Sequence, residues 1–365
     1  MSESVGQPVG RAGSAPDLPV HESTPEENPV QVSTGALPDF ASVLEILAAA
    51  RRTYQRVGDG VVADYIPALA QASPDLFGIA IAGVGGRVGS VGDSAHAFTI
   101  QSVAKPFVFA LVCEALGHRQ VREQLGVNAT GLPFDSVMAV ELAAEGLTNP
   151  MVNSGAIATT SLVPGRSSEL KWRFLREGLS RFAGRDLELD EGVLGSERAT
   201  NGRNQAMALL LVGHGRIYCD PDEATEVYTR QGCLLVTAED LALMGATLAD
   251  GGVNPVTGRR VVSEDTCRRT LALMLTAGLY ERSGDWLYEI GLPAKSGVSG
   301  GLVTIAPGKG GLATFSPPLD AAGNSVRGQL ATKLLSEALG LDLLASTPAA
   351  IATRVGGRPV GESGK

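Results

Sequence analysis

Nothing in the cysteine or histidine spacing of this chain offers a metal site. Its four cysteines, Cys113, Cys219, Cys233 and Cys267, form no C-x-x-C pair, and its four histidines show no H-x-x-x-H spacing. A zinc centre is therefore not expected, and the cysteines read as reduced, mostly buried thiols of a cytoplasmic protein. The N-terminus lacks a basic start followed by an apolar run, so it does not read as a secretory signal. No stretch of about 18 uninterrupted apolar residues is present to span a bilayer. Positive charge is also short: the formal net charge of -9 argues against nucleic acid or an anionic membrane as a partner. Lysine is scarce, with six copies against 24 arginines, and there is no internal repeat. What is present is 365 residues with 44% apolar side chains, enough for one large packed domain or two.

Residues 1–38 hold six prolines and no aromatic residue. Such a stretch buries too little apolar surface to offset its chain entropy, so a disordered N-terminal tail is expected, and residues 346–365 read as a flexible C-terminal tail. Between them, residues 39–345 carry folded patterns. Phe40 to Arg56 is helical, with Val43, Leu44, Ile46 and Leu47 on one side. Phe77, Ile79 and Ile81 alternate with Gly78, Ala80 and Ala82 as a strand with a small-residue face, and Gly85-Gly86 turns into a second strand over Val88 to Val91. Residues 102–117 read as a buried helix, and 120–250 are mainly helical. Strands return at Gly300 to Ala306 and Leu312 to Phe315, before an amphipathic helix at Leu330 to Leu339. The expected fold is α/β (α+β): an antiparallel sheet flanked by helices (39–101 and 255–345) interrupted by an all-helical insertion (102–254).

Two of the six lysines stand in patterns with a chemical reason. Ser102-Val103-Ala104-Lys105 opens a buried helical stretch, Pro106 to Leu111, and Lys295-Ser296-Gly297 lies on a strand. On a helix, i and i+3 share a face, so the amine reaches the hydroxyl. Burial, a helix N-terminus and a second cation, for which Lys295 is the candidate, all lower a lysine pKa toward that of a base at neutral pH. A serine nucleophile, a lysine base and a later Lys-Ser-Gly strand are the parts of a serine acyl-transfer site of the penicillin-recognising type. A second copy, Ser168-Glu169-Leu170-Lys171, sits among Arg166, Arg173 and Arg176 and reads as a solvated helix face. Pro307-Gly308-Lys309-Gly310-Gly311 lacks phosphate-loop spacing and reads as a hairpin turn. Asn149 to Gly155 is a turn into a helix, offering either capping chemistry or an amide for a polar substrate. The S-x-N or Y-x-N element of lactam-acting enzymes is missing.

Over roughly residues 40–342 the chain resembles the serine-dependent bacterial glutaminases of the β-lactamase-like fold. The resemblance is carried by Phe98-Thr99-Ile100-Gln101-Ser102-Val103-Ala104-Lys105, by Asn149-Pro150-Met151-Val152-Asn153-Ser154-Gly155-Ala156-Ile157, and by Glu197 with Asn204. Tyr228 before Gln231-Gly232-Cys233, Ala294-Lys295-Ser296-Gly297-Val298-Ser299-Gly300-Gly301, and Ser316-Pro317-Pro318-Leu319-Asp320 with Gly323-Asn324-Ser325 complete it. It implies hydrolysis of L-glutamine to L-glutamate and ammonia, without cofactor or metal, in a cytoplasmic homodimer or homotetramer. It implies Ser102 as nucleophile and Lys105 as base, with Tyr228 relaying a proton and Lys295 completing the catalytic set. Substrate contacts are then expected from Ser102, Asn153, Glu197, Asn204, Tyr228, Tyr280 and the Val298 backbone. In this assignment Glu197 meets the substrate ammonium, and the N–H groups of Ser102 and Val298 form an oxyanion hole. An esterase or lactam hydrolase on the same scaffold is the alternative, and a catalytically silent relative a third.

Overall fold

A computed structural model describes residues 37–346. The two segments expected to be tails, 1–38 and 346–365, therefore lie outside the described residues except for Leu37, Pro38 and Ser346. Asp39 caps helix α1 (Phe40–Tyr54) by accepting from the N–H groups of Ala41 and Ser42. Strands β1 (Gly78–Gly83) and β2 (Val88–Gly92) form a hairpin, followed by the short strand β3 (Phe98–Thr99) and one 3-10 turn, Gln101–Val103. Eight helices come next: α2 (Ala104–Leu116), α3 (His118–Leu125), α4 (Met138–Glu141), α5 (Asn153–Ser161), α6 (Ser168–Ala183), α7 (Glu191–Thr200), α8 (Gly202–Gly213) and α9 (Pro221–Gly232). The chain continues through β4 (Leu235–Val236), α10 (Ala238–Ala249), α11 (Glu264–Ala277) and α12 (Ser283–Ile290). It ends in β5 (Ala294–Ser296), β6 (Gly301–Ala306), β7 (Gly310–Phe315) and α13 (Val326–Ala338).

The main sheet is antiparallel throughout, in the order β2-β1-β7-β6-β5. Its strands join segments more than 200 residues apart in sequence, Ile79 facing Thr314 and Ile81 facing Leu312. Alternation along the strands sorts their side chains into two apolar clusters. Ile79, Ile81, Leu302, Ala306 and Leu312 pack with Val43 and Leu47 of α1 and Leu335 of α13. Ala80, Ala82, Val303, Ile305, Ala313 and Phe315 join the larger cluster that runs on into the helices. The expected small-residue face of β1 is thus as buried as the large one. It is small because a helix lies close: a Cβ on Gly311 would stand 2.2 Å from the Ala242 carbonyl oxygen of α10.

That helix corrects the expected boundary at residue 254. Every residue of α10 except Glu239 is buried, and it packs on β7, β1 and β6, so it is the inner layer of the sheet half and not part of the helical insertion. Its place in the chain, after eight helices, hid this. Strands β3 and β4 were also missed, because two residues are too few to show alternation. They pair Phe98 with Val236 and Thr99 with Leu235, and the Ile100 N–H extends the ladder to the Leu234 carbonyl at 2.8 Å. The expected hairpin turn is present but shorter, at 307–309 with Lys309 N–H donating to the Ala306 carbonyl, and Gly310 and Gly311 already belong to β7.

Candidate active site

The β3–β4 ladder delivers Gln101 and Ser102 into a cavity of about 470 Å³ between the sheet half and the helices. Its walls include Tyr65, Gln101, Ser102, Lys105, Asn153, Glu197, Asn204, Tyr228 and Val298. Gln101 holds a left-handed backbone (φ 50), as does Tyr280 (φ 59). Such geometry costs a non-glycine residue about 1 to 3 kcal/mol and gathers where a site must be held rigidly.

Lys105 is buried one turn along from Ser102, and its Nζ lies 2.5 Å from the Ser102 hydroxyl and 2.9 Å from Asn153 Oδ1. Burial pulls its pKa down to about 7, opposed by the charge of Glu197. The expected role of Lys295 as the lowering cation needs correction. Lys295 is itself completely buried and held well below the usual lysine range, by desolvation first and by Lys105 second. Its amine donates to the Ser296 carbonyl at 2.8 Å and sits 3.8 Å from the centre of the Tyr280 ring, behind the cavity wall. Burial, not Lys295, lowers Lys105, and Lys295, packed on the Tyr280 ring, is instead the group that Lys105 lowers. Tyr280 in turn sets its hydroxyl against Ser102 and the Ser296 carbonyl, with burial pushing it up to about 12.

Asn153 is the hub. Its Oδ1 receives Lys105 and the Tyr228 hydroxyl (3.0 Å), and its Nδ2 donates to Asn204 Oδ1 at 3.1 Å. Asn204 Nδ2 continues to Asn201 Oδ1 at 2.7 Å. The two readings of the 149–155 segment divide between its asparagines. Asn149 makes the turn, accepting from Met151 N–H at 2.9 Å, while Asn153 presents its amide to the cavity. Gly155 lets the backbones meet, since a Cβ there would lie 1.9 Å from the Asn149 carbonyl oxygen.

Across the cavity, Glu197 Oε1 accepts from Gln101 Nε2 at 2.6 Å and from the Cys233 thiol at 3.3 Å. Arg198 and Arg203 leave it alone, pairing instead with Glu226 and Asp135. Desolvation raises the Glu197 pKa, while the two donors and Lys105 lower it. Among the described residues none accepts from the N–H of Ser102 or of Val298. The set therefore offers a nucleophile touching a near-neutral amine, two free backbone donors and one carboxylate, which suits attack on an acyl carbonyl. All the expected site residues line this cavity except Lys295 and Tyr280, which back it.

Several lining residues carried no pattern in the sequence. Tyr65 and Phe134 come from irregular loops, and the Asp135–Arg203 pair closes the rim. Gln101 stood in a quoted motif, next to the serine, and adjacency was the signal that was available. The second Ser-x-x-Lys copy is not a solvated face: Lys171 is buried and donates to the carbonyls of Ser161 (3.3 Å) and Val163 (2.6 Å) at the end of α5. Ser167, not Ser168, caps α6. Among the described residues no group of three or more His, Cys, Asp or Glu side chains is placed to hold a metal ion, and no helix is long and apolar enough to cross a membrane.

Comparison with known proteins agrees with this chemistry. The family model for glutaminase matches residues 60–344. Glutaminase 2 of Yersinia pestis is 58% identical over 317 residues, covering 87% of this chain and 93% of that protein. The solved structure of the probable glutaminase ybaS is 43% identical, covers 85% of this chain and all of that one, and superposes with a TM-score of 0.83. The Bacillus subtilis glutaminase YbgJ, solved as a covalent complex with 5-oxo-L-norleucine, is 30% identical with a TM-score of 0.73, over 83% of this chain and 99% of that one. The chain belongs to the glutaminase family: it is a glutaminase of β-lactamase-like fold, an amidohydrolase acting on a linear amide.

Proposed function

We propose that the enzyme hydrolyses L-glutamine through a γ-glutamyl ester on Ser102, with Lys105 as the base. The observation that carries this is the 2.5 Å contact between the Lys105 amine and the Ser102 hydroxyl, inside a site that pulls the amine down to about 7. Neutral Lys105 takes the hydroxyl proton as Oγ attacks the side-chain amide carbon. The oxyanion settles on the N–H groups of Ser102 and Val298. As the C–N bond breaks, the proton on Lys105 passes to the nitrogen, which leaves as ammonia, with the Tyr228 hydroxyl held on the shared Asn153 oxygen as the relay. Water then attacks the ester, Lys105 takes its proton, and glutamate leaves as Ser102 is restored. At the other end, Glu197 meets the ammonium of glutamine, while Asn153 and Asn204 provide polar contacts and Tyr280 acts from behind, through Ser102. The covalent 5-oxo-L-norleucine complex of the Bacillus subtilis relative supports the covalent step. A homodimer or homotetramer in the cytoplasm belongs to the same proposal, on family likeness, with sedimentation as its check.

Ammonia release from glutamine and asparagine, the colour change of nitrocefin and acid release from a short-chain ester together test the reading. Glutamine is the expected substrate, undiminished by a chelator; cleavage of nitrocefin or the ester with glutamine untouched would favour the alternative hydrolase. The pH dependence has a defined sign. Lys105 works only unprotonated, so kcat/KM, which reports the free enzyme, is expected to rise as pH increases through about 7 and to be lost below it. A kcat/KM profile flat from pH 5 to pH 9 (about two units either side of that value) would remove Lys105 as the base.

A further inference from the structure

The carboxylate of Glu197 is held asymmetrically. Both of its protein donors, Gln101 Nε2 at 2.6 Å and Cys233 Sγ at 3.3 Å, converge on Oε1. Among the described residues nothing donates to Oε2. The donors reach that oxygen from the same end of one antiparallel ladder. Gln101 follows β3 and Cys233 precedes β4, so the two lie opposite each other just past the Ile100 N–H to Leu234 carbonyl bond. The backbone of Cys233 is pinned on both sides: its N–H donates to the Arg230 carbonyl at 3.2 Å, and its carbonyl accepts from Asp190 N–H, the cap of the helix that carries Glu197, at 2.9 Å.

From this arrangement we infer that Cys233 is a positioning residue for substrate recognition: its thiol and the Gln101 amide fix Oε1 so that Oε2 is turned to the ammonium of the substrate. The inference rests on the proposed role of Glu197. Cys233 is completely buried, among Val193, Leu194 and Val298, and does not line the cavity, so it touches no substrate. Burial and the neighbouring carboxylate push its thiol well above the usual range, which keeps the proton that makes it a donor. A residue that only orients a ground-state contact changes KM and leaves kcat alone.

The test uses steady-state kinetics on glutamine with Cys233→Val, Cys233→Ser and each of these combined with Glu197→Gln. Valine puts two methyl groups in place of the thiol and loses the donor, and its KM is expected to rise about tenfold, the factor that 1.4 kcal/mol makes, with kcat held. Serine restores a donor and is expected to return KM to within about twofold of the parent enzyme. In the Glu197→Gln background the valine change should add almost nothing, because two residues that act through one contact are not additive. A valine variant equal to the parent, a serine variant as poor as valine, or full additivity with Glu197→Gln would each overturn the inference. If Glu197→Gln itself leaves glutamine use unchanged, the role of Glu197 fails first, which separates the two claims.

Discussion

Ser102→Ala is expected to lower kcat on glutamine at least about a thousandfold, as the loss of a covalent nucleophile does. Lys105→Ala should be comparably poor, because hydroxyl and amine are 2.5 Å apart and act as a unit. The control is the second Ser-x-x-Lys copy. Ser168→Ala should turn over as the parent does. Lys171→Ala should keep the kcat of the folded enzyme and lose about 1 to 3 kcal/mol of stability, because it leaves the buried carbonyls of Ser161 and Val163 without their donor. Mass spectrometry adds an independent reading. Treatment with 6-diazo-5-oxo-L-norleucine should add covalent mass to the parent and none to Ser102→Ala. An active alanine variant, or labelling that survives it, would place the nucleophile elsewhere.

Glu197→Gln has the second-largest expected effect. Glutamine brings an ammonium that needs a negative partner, and removing one member of a desolvated, hydrogen-bonded charge pair costs about 2 to 5 kcal/mol. Loss of at least about thirtyfold in kcat/KM follows, since 1.4 kcal/mol is tenfold. The substituted amide still accepts from Gln101, so the pocket keeps its shape and the readout is charge. An N-acetylated glutamine, which has no ammonium, should be used equally well by both forms. A surface carboxylate would show changes within about 0.5 kcal/mol on either substrate; the burial of Glu197 and the outward pairing of Arg198 and Arg203 argue against that. The Lys105 profile gives a second sign. Glu197 raises the Lys105 pKa in the free enzyme, so its neutralisation should move the acid limb of kcat/KM to lower pH.

Much of this was legible before folding because it is local. The Ser102–Lys105 spacing is one helical turn, so sequence alone puts the amine within reach of the hydroxyl. The alternation in β1 and the hairpin at Gly85-Gly86 are equally short-range. The local spacing gave a reaction class, and the family and the glutaminase activity came from the resemblance of longer motifs to a known family. What stayed hidden has two physical causes. Two-residue strands such as β3 and β4 show no period, and a helix such as α10, apolar on every side after its first turn, does not say which layer it lies in.

The charge states could not be read along the chain at all. Lys105, Lys171 and Lys295 are all buried lysines near serines, yet one meets a hydroxyl and an amide, one meets two carbonyls, and one lies against a ring. Burial, and partners such as Asn153, 48 positions from Lys105, come from the fold, so only the packed structure separates these three lysines. The same holds for Glu197, whose neighbours in sequence are arginines and whose neighbours in space are Gln101 and Cys233. The sequence by itself brought the proposed reacting groups within reach of each other, because spacing along one helical turn is local. The tertiary structure decided their ionisation and aim, because dielectric and hydrogen-bond geometry belong to the assembled site.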